Sequence, residues 1–200
     1  MSTILYIKAN PKSDDTSYTF RMSEAFIKSY QEANPSDEVV TLDLYKEGIR
    51  LLDAEMLGQM FSGQDNIMKK FAEQFLSADK YVLAAPMWNL GFPAILKAYF
   101  DYVVYSGVTF KYTEHGPVGL LKPGKKAVHI TARGGKYSEG PAAQFEMGDR
   151  YIRTILGFMG IDQSNITTIT TELTGVLQGE ALEQSVQQSV EKAKSFASQF

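Results

Sequence analysis

Apolar positions along this chain follow two spacings in turn. Five short runs are rich in aliphatic and β-branched residues: TILYIKA (Thr3 to Ala9), EVVTLDL (Glu38 to Leu44), KYVLAAP (Lys80 to Pro86), KAVHITA (Lys126 to Ala132) and NITTITT (Asn165 to Thr171). The first, third and fourth are nearly continuous in apolar residues, which suits central strands covered on both faces. Between the runs the spacing becomes helical. Phe20, Ala25, Phe26 and Tyr30 form a stripe within residues 17–33, and Ile67, Phe71, Phe75 and Leu76 within 66–78. Ile95, Leu96, Tyr99, Phe100, Val103 and Val104 share one face of 93–104. Tyr151, Ile152, Ile155, Leu156 and Met159 do so in 145–159. A last stripe from Gly179 onward carries Leu182, Val186, Val190, Ala193, Phe196 and Phe200.

Strand and helix therefore alternate five times. Long right-handed crossovers between the runs give parallel strands. The expected fold is α/β: a doubly wound, five-stranded parallel sheet with helices on both faces, in the flavodoxin-like order 2-1-3-4-5. No composition break or internal repeat divides the chain, so residues 1–200 are read as one domain. YTEHGPVGLLKPGKK (Tyr112 to Lys126) is a Gly/Pro-containing excursion before the fourth strand, suited to a lid or a subunit contact.

Composition narrows the chemistry. A formal charge of -3 and 22% charged residues offer no basic surface for nucleic acid or membrane. The absence of cysteine excludes disulfides, thiolate metal sites and a Cys nucleophile. With only His115 and His129, a histidine metal site is not expected. No apolar run reaches the ~18 residues of a membrane span, and no leader pattern opens the chain. A cytoplasmic protein is the expectation.

In an open sheet of this order, ligands bind beyond the carboxyl ends of the strands, near strands one and three. The loop after the first run, NPKSDDTSYTF (Asn10 to Phe20), crowds Thr16, Ser17 and Thr19 before a helix. One hydroxyl suffices to cap that helix. The surplus makes either plain capping or a phosphate site on the helix N-terminus. No GxGxxG or Walker loop is present. The loop after the third run, PMWNLGFP (Pro86 to Pro93), is stiff yet apolar and aromatic. It packs under a neighbour or lines a flat ring, with Asn89 free to meet ring heteroatoms. After the fourth run, ARGGKYSEGP (Ala132 to Pro141) places Gly134-Gly135 where backbone can approach a ligand closely. A phosphate at the first loop, a flat ring at the second and backbone donors at the third together describe flavin mononucleotide (FMN).

The segments SYT (Ser17 to Thr19), APMWNLGFPAILKAYFD, GVTFKYTEHGPVGLL, ARGGKYSEGP and LGFMGI together resemble the FMN-dependent NADH azoreductase / NADH:quinone oxidoreductase family, across almost the whole chain. The resemblance implies non-covalent FMN with its phosphate on Ser17, Tyr18 and Thr19, and Asn10 just upstream. It implies an isoalloxazine lined by Pro86, Met87, Trp88, Asn89 and Leu90, and closed by Ala132, Arg133, Gly134 and Gly135, with Tyr137 nearby. Asn10 and Ala132 stand where other members can carry a hydroxyl. It also implies a homodimer in which Phe110, Tyr112 and Phe158 approach the partner's flavin. The activity implied is transfer of two electrons from NADH or NADPH to quinones, and reductive cleavage of azo compounds to aromatic amines, by a ping-pong mechanism. No catalytic side chain or metal is implied. Two rivals share the α/β pattern: a flavodoxin-type electron carrier, and a hydrolase, which would need a GxSxG elbow that the chain lacks.

Overall fold

The computed structural model describes residues 1–200. Its strands are β1 (Thr3–Lys8), β2 (Glu38–Asp43), β3 (Lys80–Ala84), β4 (Phe110–Thr113), β5 (Gly116–Gly119), β6 (Lys126–Ala132) and β7 (Ile166–Thr171). Its helices are α1 (Tyr18–Ala33), α2 (Ala54–Phe61), α3 (Ile67–Ser77), α4 (Ala94–Val103), α5 (Gly148–Met159) and α6 (Gly179–Ala197). Five strands make one parallel sheet in the order β2-β1-β3-β6-β7. That is the expected 2-1-3-4-5 order, with a small antiparallel hairpin, β4-β5, inserted before the fourth large strand.

The period of two in β1 assigns its side chains to two cores. Ile4 and Tyr6 face α1 and α6, where Phe26, Tyr30, Val186 and Phe200 are buried. Leu5 and Ile7 face α3, α4 and α5, with Phe75, Tyr99, Phe100, Ile152 and Leu156. Complete burial of each such side chain contributes ~1.5–3 kcal/mol. The rings of Phe26, Tyr30 and Phe200 form a triangle, with centroid distances of 6.5, 5.3 and 6.2 Å.

Two elements depart from the sequence pattern. Helix α2 was not expected. Asp53 caps it, accepting the Met56 N–H at 2.9 Å, and only Met56 is buried on its inner side. Helix α5 begins at Gly148, three residues after the expected start, behind a 3-10 turn at Pro141–Phe145. The delay has a cause: the Met147 N–H donates to the Leu90 carbonyl at 2.9 Å, outside the helix. The hairpin root is fixed against the end of α5, where a Cβ on Gly119 would lie 2.3 Å from the Met159 carbonyl carbon.

Candidate functional site

At the carboxyl ends of the strands, the loops after β1, β3, β6 and β7 converge on a cleft of about 310 Å³. The first loop contributes Asn10, Lys12, Thr16, Ser17, Tyr18 and Thr19, and the second Pro86, Met87 and Trp88. Ala132, Gly134, Thr174 and Gly175 complete the lining. A wider concavity of about 630 Å³, beside Gly124 and Gln163, lies at the amino ends of β6 and β7, the wrong end of the sheet for a switch-point ligand.

The first loop is organised by its own hydrogen bonds. Ser17 is the N-cap of α1, and its Oγ accepts the Phe20 N–H at 3.2 Å and the Asn10 Nδ2–H at 2.9 Å. Its hydroxyl hydrogen is thereby left to point elsewhere. Asn10 in turn accepts the Lys12 N–H at 3.2 Å. The N–H groups of Tyr18 and Thr19 have no acceptor in the chain, and no acidic residue stands in the first turn. A helix of this length leaves partial positive charge at that end. The arrangement fits a phosphate: free N–H groups, a free hydroxyl and a positive helix end. Thr19 has a second duty, since its Oγ1 accepts the Ala132 N–H at 3.1 Å and ties α1 to β6.

The second loop is held by its neighbours. Its root continues the sheet, the Ala85 N–H bonding Ile130 O at 3.1 Å and the Met87 N–H bonding Ala132 O at 2.9 Å. Trp88 and Gly91 then exchange two hydrogen bonds, of 3.1 and 3.0 Å, around Asn89 (φ 48°) and Leu90 (φ 70°). Two consecutive left-handed residues make a primed turn. Asn suits the first position; leucine at the second is strained where glycine is preferred. Trp88, 41% exposed, stands between the cleft and an apolar groove of about 590 Å³ lined by Tyr45, Ile49, Leu51, Phe92 and Ile95. Asn89 lines that groove, not the cleft, and Leu90 lines neither.

The third loop differs from expectation at Arg133. Its N–H bonds Thr171 O at 2.9 Å, and its guanidinium enters a neighbouring polar cleft with Tyr137. It does not line the candidate site. Gly134 and Gly135 keep their N–H groups without acceptors in the chain. Tyr137 packs its ring on Gly135, where a Cβ would lie 3.0 Å from Cε2. Thr174 and Gly175, absent from the sequence-based set, reach the cleft because the Gly175 N–H bonds Gly134 O at 3.0 Å and Thr174 holds Arg133 O by N–H and hydroxyl, both at 3.1 Å.

Of the residues expected at a subunit boundary, Phe110 is buried against Phe158 at 4.9 Å, whereas Tyr112 is 74% exposed on the hairpin. His129 is structural. Its Nδ1 lies 2.9 Å from Asp149 Oδ1, behind the sheet end and off the cleft.

Sheet order, switch-point cleft and an anion-ready helix end define a ligand-binding, doubly wound α/β protein. The chain belongs to the flavodoxin-like fold family, whose model matches residues 2–196. It is 54% identical, over the full length of both chains, to a protein of Clostridium acetobutylicum named FMN-dependent NADH:quinone oxidoreductase 2. An azoreductase structure from Bacillus anthracis str. Sterne superposes with a TM-score of 0.90 at 39% identity and 100% coverage of both chains. An FMN-dependent NADH-azoreductase from Bacillus anthracis str. Ames Ancestor, in complex with FMN, gives 0.85 at 30% identity, covering 98% of this chain and all of that one. No helix is long and apolar enough to cross a membrane.

Proposed function

We propose that this protein is an FMN-dependent oxidoreductase. It passes two electrons from NADH or NADPH to quinones, and in two such rounds cleaves azo compounds to aromatic amines, donor and acceptor using one site in turn. The observation that carries the reading is a juxtaposition: the acceptor-free N–H groups of Tyr18 and Thr19 share one cleft with the apolar wall of Met87 and Trp88. Non-covalently bound FMN supplies the two-electron chemistry. The chain binds and orients. Ser17, Tyr18 and Thr19 hold the phosphate, and Asn10 aims the Ser17 hydroxyl. Pro86, Met87 and Trp88 form the ring wall, with Asn89 and Leu90 shaping its turn. Ala132, Gly134 and Gly135 form the opposite lip, where free N–H groups favour negative charge at a ring edge. Lys12 and Tyr18 are the ionisable side chains in the lining, and protons for the acceptor come from water or a nearby group.

A homodimer in the cytoplasm completes the reading. Leu51, Phe61 and Tyr112 expose 72%, 79% and 74% of their surface, an apolar display that a second copy would cover. Tyr112 is then the hairpin residue that reaches the partner's site, while Phe110 and Phe158 support it from behind.

Heat-released supernatant should contain FMN, and steady-state rates with NADH or NADPH should show parallel double-reciprocal lines against a quinone and an azo dye. Release of FAD alone, or a colourless protein that FMN cannot reconstitute, overturns the proposal. Flavin reduction without turnover of small acceptors points instead to an electron carrier.

A further inference from the structure

Arg133 is 4% exposed and makes no contribution to the cleft lining, yet it carries a full charge into the interior. Its Nη2 lies 3.5 Å from Glu146 Oε1 and its Nη1 3.4 Å from Glu172 Oε1. Its Nε has no partner in the chain. Both pairs are long, and Arg133 takes its charge into the interior beside two half-buried carboxylates, at a desolvation cost. Such a group is a poor way to gain stability. Its value lies in what the two carboxylates hold.

Glu146 Oε1 also accepts the Asp149 N–H at 2.8 Å, which anchors the start of α5. The next residue, Met147, grips Leu90 O at 2.9 Å, and a Cβ on Gly148 would lie 3.1 Å from Gly91 O. The start of α5 is therefore seated on the primed turn after β3. Glu172 Oε1 accepts the N–H groups of Tyr137 and Ser138, at 2.8 and 2.9 Å, and so folds back the loop after β6. One planar guanidinium thus spans from the segment that grips one lip of the site to the residue that grips the other. The fixed spread of its fork sets a distance that a single ammonium cannot.

We propose that Arg133 is a positioning residue: through Glu146 and Glu172 it sets the separation of the two lips of the ring site without touching the cofactor. The proposal rests on the FMN reading above. It predicts that lysine, which keeps the charge and loses the fork, does not substitute.

The test uses wild-type holoenzyme, Arg133→Lys and Glu172→Gln. Each is stripped of flavin and titrated with FMN, then assayed with NADH and a quinone. Glu172→Gln can still accept both backbone N–H groups, so it carries the test if Arg133→Lys fails to fold. The expected result is FMN affinity lower by about tenfold, the scale of one hydrogen bond to a charged group. Shifted flavin absorption bands and a lower kcat at nearly constant KM for NADH should accompany it. Unchanged affinity, spectrum and kcat, with only a lower melting temperature, would make Arg133 a stability element and overturn the proposal alone. A wild-type protein that binds no FMN overturns the flavin reading first.

Discussion

The loops after β1 and β3 meet in one cleft but are stabilised in opposite ways. The first is built locally: Asn10, Ser17 and the Phe20 N–H bond one another within eleven residues of chain and leave the Tyr18 and Thr19 N–H groups free. The second stays in a strained turn because distant segments hold it, with Met147 on Leu90 O and Ala132 on the Met87 N–H. The difference separates two tasks. Binding a phosphate needs donors with a fixed local geometry, and a helix end provides it. Shaping a slot for a flat ring needs two walls at a set spacing, which only tertiary contacts can impose.

The sharpest way to break this contrast is at Asp149, in the first turn of α5. Burial pushes its carboxyl up, but hydrogen bonds from His129, Thr168 and Arg153 outweigh that and hold it well below the usual carboxylate range. Its charged form therefore favours the fold. That contribution is complete above the unfolded value of ~3.9 and fades as pH falls through the lower folded one. Asp149→Asn should cost about 3 kcal/mol at neutral pH, the cost of breaking a buried pair. It should also flatten the loss of stability below about pH 4. Urea unfolding at neutral and acid pH measures both, and parallel acid limbs in mutant and wild type would refute the assignment. The next effect belongs to the other loop. Replacing Ser17 and Thr19 together with Ala should weaken FMN binding by about 1–3 kcal/mol, while bound flavin keeps its absorption spectrum. Unchanged affinity on titration would mean that the turn only caps its helix.

Smaller effects sharpen the second loop. Leu90→Gly removes a left-handed penalty of ~1–3 kcal/mol against a glycine entropy cost of ~0.5–1 kcal/mol, so stability should rise by about 0.5–2 kcal/mol, read from thermal melts; a lower melting temperature would show the turn to be relaxed. Trp88→Ala should change stability by no more than ~0.5 kcal/mol at so exposed a position, yet alter the flavin spectrum and the acceptor rate. As Trp88 is the chain's one tryptophan, its emission should be quenched when FMN is bound and recover when FMN is stripped. Equal emission in both forms would place the indole away from the ring.

The sheet was readable because burial on both faces writes itself as continuous apolar runs, as in TILYIKA and KYVLAAP. The switch-point loops followed from strand order and from side chains unusual for loops, Trp88 above all. Helix α2 escaped because eight residues with one buried side chain leave too few turns for a stripe, although Asp53 and Met56 carried a cap signal. The course of the Arg133 side chain was not legible, because the direction of a side chain just past a strand depends on how the chain turns, and that turn is held by Glu172, thirty-nine residues further on. Thr174 and Gly175 belong to the loop after β7, a strand removed from the switch point, and hydrogen bonds to Arg133 and Gly134 bring them in.

Gly119 has a consequence for variation. A methyl group there has nowhere to go, since its surroundings are the backbone of Met159 and Gly160, at 2.3 to 2.5 Å. The tip of the same hairpin, around Lys111, Tyr112 and Glu114, is exposed in the single chain. In a library of every single substitution scored for folding alone, the hairpin should read as a tolerant arm with two intolerant glycines, Gly119 at its root and Gly116, at φ 108°, in its turn. Its tip is free to diversify toward new partners or acceptors, while its root keeps every variant aimed along the same line.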